Sequence, residues 1–246
     1  MKYSKLITIM FLVFVLAMGL RYTIKFYNHG IIHINNPSQD KYPVVGVDVS
    51  NHQGEIDWDV LMKQEIDFAF IKATEGATYI DPYFKKNWEA AVDAGIRVGA
   101  YHFFRFEFSG ENQAKSFCNN VPHLDNMLPP VVDVEYYGEY KSKKDLDIPK
   151  IKEELRAFID ILEKEYGMKP IIYCGLLYDS IIKDDFTDCD LWYTSIYLPL
   201  INNKENLTFW QYSNNHILEG YSGKEKFIDM NVFIGNREEF DTYLSK

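Results

Sequence analysis

Short apolar runs alternate with longer polar stretches from residue 44 to the end of the 246-residue chain. The runs are four to eight residues long, rich in β-branched or aromatic side chains, and bounded by Gly, Pro or Asn, which predicts β-strands. Continuous apolar runs of this kind are typical of parallel strands that are covered on both faces. The predicted strands begin at Val44, Phe68, Ile96, Pro130, Pro170, Leu191, Leu207 and Phe227.

Two of the intervening stretches have the three- and four-residue periodicity of an amphipathic helix. In the first, Asp81-Pro82 predicts an N-cap followed by proline at the first helical position, and Gly95 predicts the end. The second helix is predicted to run from Asp147 to Gly167. No long helix fits into residues 191–232. The order predicts an α/β fold, a modified (β/α) TIM-like barrel of about eight strands whose second half has lost helices.

A different pattern precedes the barrel. Two lysines come before the mostly apolar run Leu6–Leu20, whose 15 residues are at the upper limit for a signal peptide and short of the roughly 20 that span a bilayer. Ala17-Met18-Gly19 is a poor cleavage site, and the following Arg21-Tyr22 is typical of a membrane interface. We therefore expect an N-terminal hydrophobic helix that serves as a signal anchor within residues 1–22, with a cleaved signal peptide as the alternative, and then a polar linker at 23–43.

Composition and charge exclude several classes of protein. The chain is 47 % apolar and 25 % charged, as in ordinary globular proteins, so it is neither disordered nor collagen-like. Residues 1–43 carry a net charge of +4 within a total of −10, which leaves −14 on residues 44–246. This acidic body argues against a nucleic-acid partner, because phosphate binding needs a basic face. The cysteines lack metal-site spacing and are expected to be small buried side chains: Cys118, Cys174 and Cys189.

Acidic residues at strand ends are the candidate chemistry. The active site of such a barrel lies at the C-terminal ends of its strands. Asp48 ends the first predicted strand, Asp133 and Glu135 end the fourth, and Asp229 lies near the last. Alternate residues of a strand share a face, so Asp133 and Glu135 are expected to face the barrel mouth together. Mutual repulsion and partial burial raise at least one pKa, which keeps a carboxyl protonated as a general acid.

Aromatic residues accompany these acids. Tyr101, Tyr173 and Trp210 lie at or near strand ends, and Gln211 follows directly. Sugar rings present apolar C–H faces that pack on aromatic rings, so these three aromatic residues are expected to bind substrate. Gln211 is expected to bind it beside them. His102 is expected to be a hydrogen-bonded histidine of the barrel interior rather than a catalyst. Three other aromatic side chains are expected to fill the core: Phe68, Phe84 and Trp88.

Taken in order, these motifs resemble glycoside hydrolase family 25, the lysozymes of bacteria and phages. The resemblance covers residues 44–246, whereas the N-terminal 43 residues have no part in it. It rests on Gly46-Val47-Asp48-Val49-Ser50, Phe70-Ile71-Lys72-Ala73-Thr74-Glu75-Gly76, Asp81-Pro82-Tyr83-Phe84, Asp133-Val134-Glu135, Trp210-Gln211-Tyr212 and Asp229-Met230-Asn231-Val232-Phe233.

The resemblance implies a catalytic barrel that cleaves the β-1,4 bond between N-acetylmuramic acid and N-acetylglucosamine in peptidoglycan glycan strands. It assigns the general acid to Glu135, its partner acid to Asp133 and two further groove acids to Asp48 and Asp229. The same resemblance matches Tyr101, Tyr173 and Trp210 to aromatic groove positions. It implies neither a metal nor another cofactor, and we expect a monomer.

The role of Asp133 has two interpretations. Asp133 attacks the sugar directly, or it orients the 2-acetamido group of the substrate, whose oxygen then attacks. Two acids on one strand face favour the second, because a protein nucleophile and its acid must flank the scissile bond. Two other functions stay open: a chitinase-like N-acetylglucosaminidase, and a membrane-anchored glycan-binding protein without activity.

Overall fold

Eight strands close into a barrel, and a ninth, short strand pairs with one of them. The computed structural model describes residues 2–200, 204 and 206–243. The strands are β1 (Val45–Val49), β2 (Phe68–Glu75), β3 (Tyr79–Ile80), β4 (Arg97–Phe103), β5 (Val131–Val134), β6 (Ile171–Cys174), β7 (Leu191–Thr194), β8 (Leu207–His216) and β9 (Ile228–Phe233). The barrel order is β1-β2-β4-β5-β6-β7-β8-β9, with β9 pairing back to β1, and β3 forms a hairpin with β2.

Helices cover mainly the first half of the barrel. The α-helices are α1 (Lys2–Asn28), α2 (Trp58–Met62), α3 (Phe84–Asp93), α4 (Gly110–Cys118), α5 (Ile148–Tyr166) and α6 (Arg237–Asp241). Two short helices of other types are a 3₁₀ segment, Lys143–Asp145, and a π segment, Tyr178–Ile182. The described residues between β7 and β9 contain no helix, as the sequence predicts.

All eight predicted strands are present, but the last does not run parallel to its neighbours. β9 is antiparallel to both β1 and β8, whereas the other barrel pairs are parallel. A parallel return needs a crossover of about a dozen or more residues, usually with a helix. The connection at residues 217–227 is shorter than that and reverses the chain instead.

Both predicted ends of one helix are right, and in the other the end at Gly95 is right but the start is shifted. Asp147 caps α5 by accepting a hydrogen bond from a backbone N–H, and Gly167 ends it with φ +67° in the left-handed region. The helix predicted after Asp81 begins two residues later than expected, at Phe84. The Asp81 carboxylate instead accepts hydrogen bonds from the backbone N–H groups of Asn51 and Tyr83, so it joins two loops.

The core has two layers. One layer fills the barrel interior and includes Phe68, Phe70, Trp192 and Phe209. The other lies between the barrel and its outer cover, and there the predicted core residues Phe84 and Trp88 are buried. Cys174 and Cys189 are buried and Cys118 is half-buried, and all three are free thiols.

The linker is not a free spacer, which corrects the sequence interpretation. α1 continues to Asn28, and residues 29–43, here called the strap, lie along the outer face of β8. The Asn35 amide donates hydrogen bonds to the backbone carbonyls of Ser195, Leu198 and Tyr212, at 2.8, 3.1 and 3.4 Å. The strap covers a barrel face on which the second half of the chain places no helix.

Candidate active site

The four predicted acids meet at the barrel mouth. Asp48 in β1 lies directly opposite Asp229 in β9. Because β9 runs antiparallel, its first residues stand at the same end of the barrel as the last residues of the parallel strands. Asp133 lies in β5 and Glu135 one residue beyond its end. Electrostatic interactions link Asp48 to each of the other three acids.

Gln211 joins the two halves of this acid cluster. Its side-chain oxygen accepts hydrogen bonds from the Tyr173 hydroxyl at 2.9 Å and from the Thr194 hydroxyl at 2.7 Å. Its Nε2 donates to Oδ2 of Asp48 at 2.9 Å and to Oδ2 of Asp229 at 3.3 Å. These four bonds use the full capacity of an amide. Gln211 therefore positions acids, whereas the sequence analysis expected it to bind substrate.

Asn231 is a positioning residue that the sequence analysis did not single out. Its Nδ2 donates to Oδ2 of Asp48 at 2.8 Å, and its Oδ1 accepts from Nε1 of Trp192 at 2.8 Å. Asn231 lies two residues after Asp229 on β9 and so shares its face. The alternation of side chains along β9 could therefore have identified Asn231 from the sequence. Two N–H donors on one oxygen favour the ionised form of Asp48.

Burial dominates the electrostatics of the mouth. Desolvation raises the pKa of Glu135 to about 7, assisted by the charge of Asp48 and opposed by the nearby polar hydroxyl of Tyr173. Burial, followed by repulsion from Glu135, raises the pKa of Asp133 well above its usual range. Burial and the Asp48 charge also raise the pKa of Asp229. The pKa of Glu135 thus lies close to neutral pH, where a carboxyl can still hold the proton that a general acid must donate.

Lys72 brings a positive charge to the mouth. On β2 it alternates with Phe68 and Phe70, whose rings fill the barrel interior, and it lies opposite Tyr101 on β4. Its Nζ contacts Oε2 of Glu75 at 2.8 Å, and its charge opposes the rise in the pKa of Asp133. The sequence analysis assigned it no role, although the alternation of β2 predicts an inward side chain.

Two cavities open at the acid cluster, and we refer to them together as the groove. A cavity of about 460 Å³ is lined by residues that include Asp48, Tyr101 and Asp229. A second cavity, of about 410 Å³, is lined by residues that include Glu135 and Tyr193. Tyr101 is therefore placed as the sequence predicts, and Tyr173 reaches the cluster through its hydroxyl. Tyr193 is an aromatic wall that sequence reasoning missed.

Trp210 and His102 lie on the other side of the barrel wall. Trp210 belongs to the outer layer, where its Nε1 donates to the Ser195 carbonyl and its ring packs edge-on against Tyr42 of the strap. His102 is fully buried and hydrogen-bonded, but it faces the helices and stacks on Phe158 at 4.8 Å. The structure thus corrects both placements: residue 210 does not line the groove, and residue 102 does not face the interior.

Replacing Trp210 by Ala is expected to lower stability without weakening substrate binding. Loss of a buried Trp side chain costs about 3–5 kcal/mol, because the strap and barrel cannot close the cavity. Urea unfolding measures the loss, and KM on soluble glycan fragments should stay at the wild-type value. Tyr101→Ala, which alters the groove itself, is the matched comparison and should raise KM. A raised KM for the folded Trp210 variant would show that Trp210 contributes to substrate binding after all.

A closed barrel with clustered carboxyls at the C-terminal ends of its strands, and cavities beside them, is an arrangement that glycosidases use. The family model described as Glycosyl hydrolases family 25 matches residues 47–221. The chain belongs to this family.

Relatives and solved structures agree with that assignment. The fold is similar to a family 25 glycosyl hydrolase from Bacillus anthracis, with a TM-score of 0.78 and 48 % identity over 86 % of this chain and 97 % of the other. Lysozyme M1 of Streptomyces globisporus is 31 % identical over 80 % of this chain and 70 % of its own length. The uncharacterized protein YegX of Escherichia coli K12 is 33 % identical over 82 % and 74 %.

Proposed function

We propose that this chain is a lysozyme that hydrolyses the β-1,4 bond between N-acetylmuramic acid and N-acetylglucosamine in peptidoglycan. The observation that carries the proposal is Glu135 with a pKa of about 7, beside the buried Asp133 and at the groove. Membership of a family that includes lysozyme M1 supports the substrate class.

Glu135 acts as the general acid in this proposal. It donates its proton to the leaving glycosidic oxygen, and as the conjugate base it later removes a proton from the attacking water. Burial raises the pKa of Asp48, and the amides of Asn231 and Gln211 oppose that rise by donating hydrogen bonds to it. In its carboxylate form Asp48 stabilises the positive charge that develops at the anomeric carbon.

Asp133 orients the substrate rather than attacking it. Within the described part of the chain, its buried Oδ1 has no hydrogen-bond partner. A buried acceptor without a partner is costly, so this oxygen is suited to accept the N–H of the 2-acetamido group. The acetamido oxygen then bonds to the anomeric carbon as the glycosidic bond breaks, and water opens the cyclic intermediate. Two displacements at one carbon give a product of retained configuration.

Products from purified peptidoglycan test the activity and separate the alternatives. Digestion should clear the suspension and release fragments whose new reducing ends are N-acetylmuramic acid, identified by reduction and mass analysis. N-acetylglucosamine reducing ends would identify a glucosaminidase instead. Binding without any new reducing end would identify a glycan-binding protein.

The pH dependence of kcat/KM should show the titration of the general acid. Glu135 must carry its proton, and its pKa of about 7 means that the active fraction falls as pH rises through neutrality. Above that pKa the rate should fall about tenfold per pH unit, because one proton is lost. Initial rates on soluble glycan fragments measure the profile. A rate that stays constant well above pH 7 would contradict the assignment.

We also propose that α1 anchors the enzyme in a membrane, with the barrel outside the cytoplasm. The stretch Lys5–Asn28 is a 24-residue helix that contains an apolar window of 18 residues, and none of that window is buried against the protein. At 1.5 Å per residue it is about 36 Å long, which exceeds the roughly 30 Å hydrocarbon core. The structure thus extends the 15-residue run of the sequence analysis into a helix of spanning length.

Fractionation tests the anchor. Full-length protein should remain with membranes after carbonate extraction, and added protease should reach its barrel in spheroplasts. A chain that lacks residues 2–22 is the control and should be soluble. A soluble mature chain that begins near Leu20 would replace the anchor by a cleaved signal peptide.

A further inference from the structure

The C-terminal end of α1 meets the barrel at its mouth. The Tyr27 hydroxyl donates to Oδ1 of Asn214 at 3.1 Å, and the Tyr27 ring lies 6.3 Å from the ring of Tyr197. Asn214 lines the cavity that holds Asp48, and Tyr197 lines the cavity that holds Glu135. The helix therefore ends beside the groove.

The strap then leads away from the mouth along β8. At the mouth end, the Asn215 amide donates to the carbonyls of Tyr27 and Ile32 at 3.0 and 3.1 Å. Further along the chain the strap contacts residues progressively nearer the start of β8, first His216, then Tyr212 and finally Trp210. Because docking begins at the last turn of α1, no free linker separates the anchor from the barrel.

Large apolar side chains are exposed on the same side of the mouth. They follow the ends of three consecutive strands, β6, β7 and β8, or lie at the start of the strap. We call them the apolar rim: Leu176, Tyr197, Leu198, Ile217 and Ile31, which are 88, 60, 68, 53 and 65 % exposed. The rim adjoins the end of α1 through the Tyr27–Tyr197 ring contact.

We propose that the apolar rim lies in the headgroup layer of the membrane that α1 spans, so that the groove runs beside the bilayer surface. The occupant of the rim is lipid, because the rim is continuous with the end of the apolar helix. Apolar side chains at such an interface are buried about 5–10 Å into the headgroup and acyl boundary. This inference rests on the membrane anchor proposed above.

The arrangement restricts the substrate to glycan strands close to the membrane. A barrel of about 200 residues is about 40 Å across. Because the strap gives the barrel no slack, strands farther than that distance from the bilayer do not reach the groove. The enzyme therefore cleaves glycan strands in the part of the wall that lies nearest to the membrane.

Lipid-dependent quenching of single labels tests the contact. The full-length chain, with Cys118→Ala, is placed in nanodiscs of phosphatidylethanolamine and phosphatidylglycerol. An environment-sensitive fluorophore is attached at Leu198→Cys, Ile217→Cys or, as the control, Asp125→Cys. Asp125 is exposed in the loop before β5, at the opposite end of the barrel. Labels at 198 and 217 should lose about half of their emission or more to lipids with a quencher high on the acyl chain, since they lie at that depth.

The control label should keep its emission. An equal loss of emission to the quencher lipids at all three positions, or no loss at any of them, would overturn the rim contact. Hydrolysis of soluble glycan fragments is measured on the unlabelled full-length chain in the same nanodiscs, because Leu198 lines the cavity that holds Glu135. Active enzyme without quenching of the labels refutes the membrane contact alone. Loss of hydrolysis together with quenching at 198 and 217 refutes the proposed activity and leaves the contact in place.

Discussion

Glu135→Gln will reduce the rate of peptidoglycan hydrolysis by about 10²–10⁴-fold, the usual cost of losing a general acid. Gln is nearly isosteric with Glu but cannot release a proton to the glycosidic oxygen. The reducing-end assay gives kcat and KM on soluble fragments, and the loss should fall on kcat. Binding of the intact glycan should remain, because the cavity walls are unchanged.

A matched variant separates chemistry from charge. Glu139→Gln removes one acid four residues away, on the exposed surface, and should keep wild-type turnover. Stability provides a second control. The raised pKa of Glu135 means that the folded state loses stability as pH rises from the usual Glu range toward about 7, and the Gln variant should show a smaller loss because only the other buried acids then contribute. Near wild-type kcat in Glu135→Gln would remove this residue from the mechanism.

Asp133→Asn will lower kcat by about 10²–10³-fold, the range for removing one preorganised electrostatic contact. An amide oxygen still accepts the acetamido N–H, so some activity should remain. Asn cannot become negatively charged, however, so it cannot stabilise the positive charge that develops as the acetamido oxygen bonds to the anomeric carbon. Asp125→Asn, on the exposed base of the barrel, is the matched control and should leave the rate unchanged.

The configuration of the first product decides between mechanisms. NMR during early turnover should show the retained anomer, and a thiazoline analogue of the cyclic intermediate should inhibit because it resembles a charged species that the site stabilises. Release of the inverted anomer would exclude both nucleophile schemes and make an acid at the mouth a base for water. A covalent sugar ester trapped on Asp133 would favour direct attack.

Patterns within a few residues predicted most of the fold. The eight barrel strands follow from short apolar runs and the caps of α5 from capping chemistry, and both depend only on neighbouring residues. The direction of β9 does not follow from such local patterns. It depends on whether the 217–227 connection can return to the base of the barrel, which is a property of the closed sheet.

The candidate site divides in the same way. Asp133 and Glu135 share a face because they are two residues apart, and the sequence alone predicts that. The hydrogen bond from Gln211 to Asp48 joins residues 163 positions apart, so no local pattern contains it. For Trp210 the local pattern was misread. Its place near a strand end led us to predict that it lines the groove, but the alternation of side chains along β8 points it outward.

The sequence by itself determined that this protein is a family 25 barrel with a mouth-facing acid pair, because strand periodicity and ordered motifs are local properties. Only the tertiary structure decided which groups hold those acids and where the anchor attaches. Asn35 meets Ser195 across 160 positions, and the strap lies against β8 because that face would otherwise expose Trp210 and Tyr212. Burying the apolar outer face of β8 lowers the free energy, and the strap is the segment that can cover it once the barrel has closed.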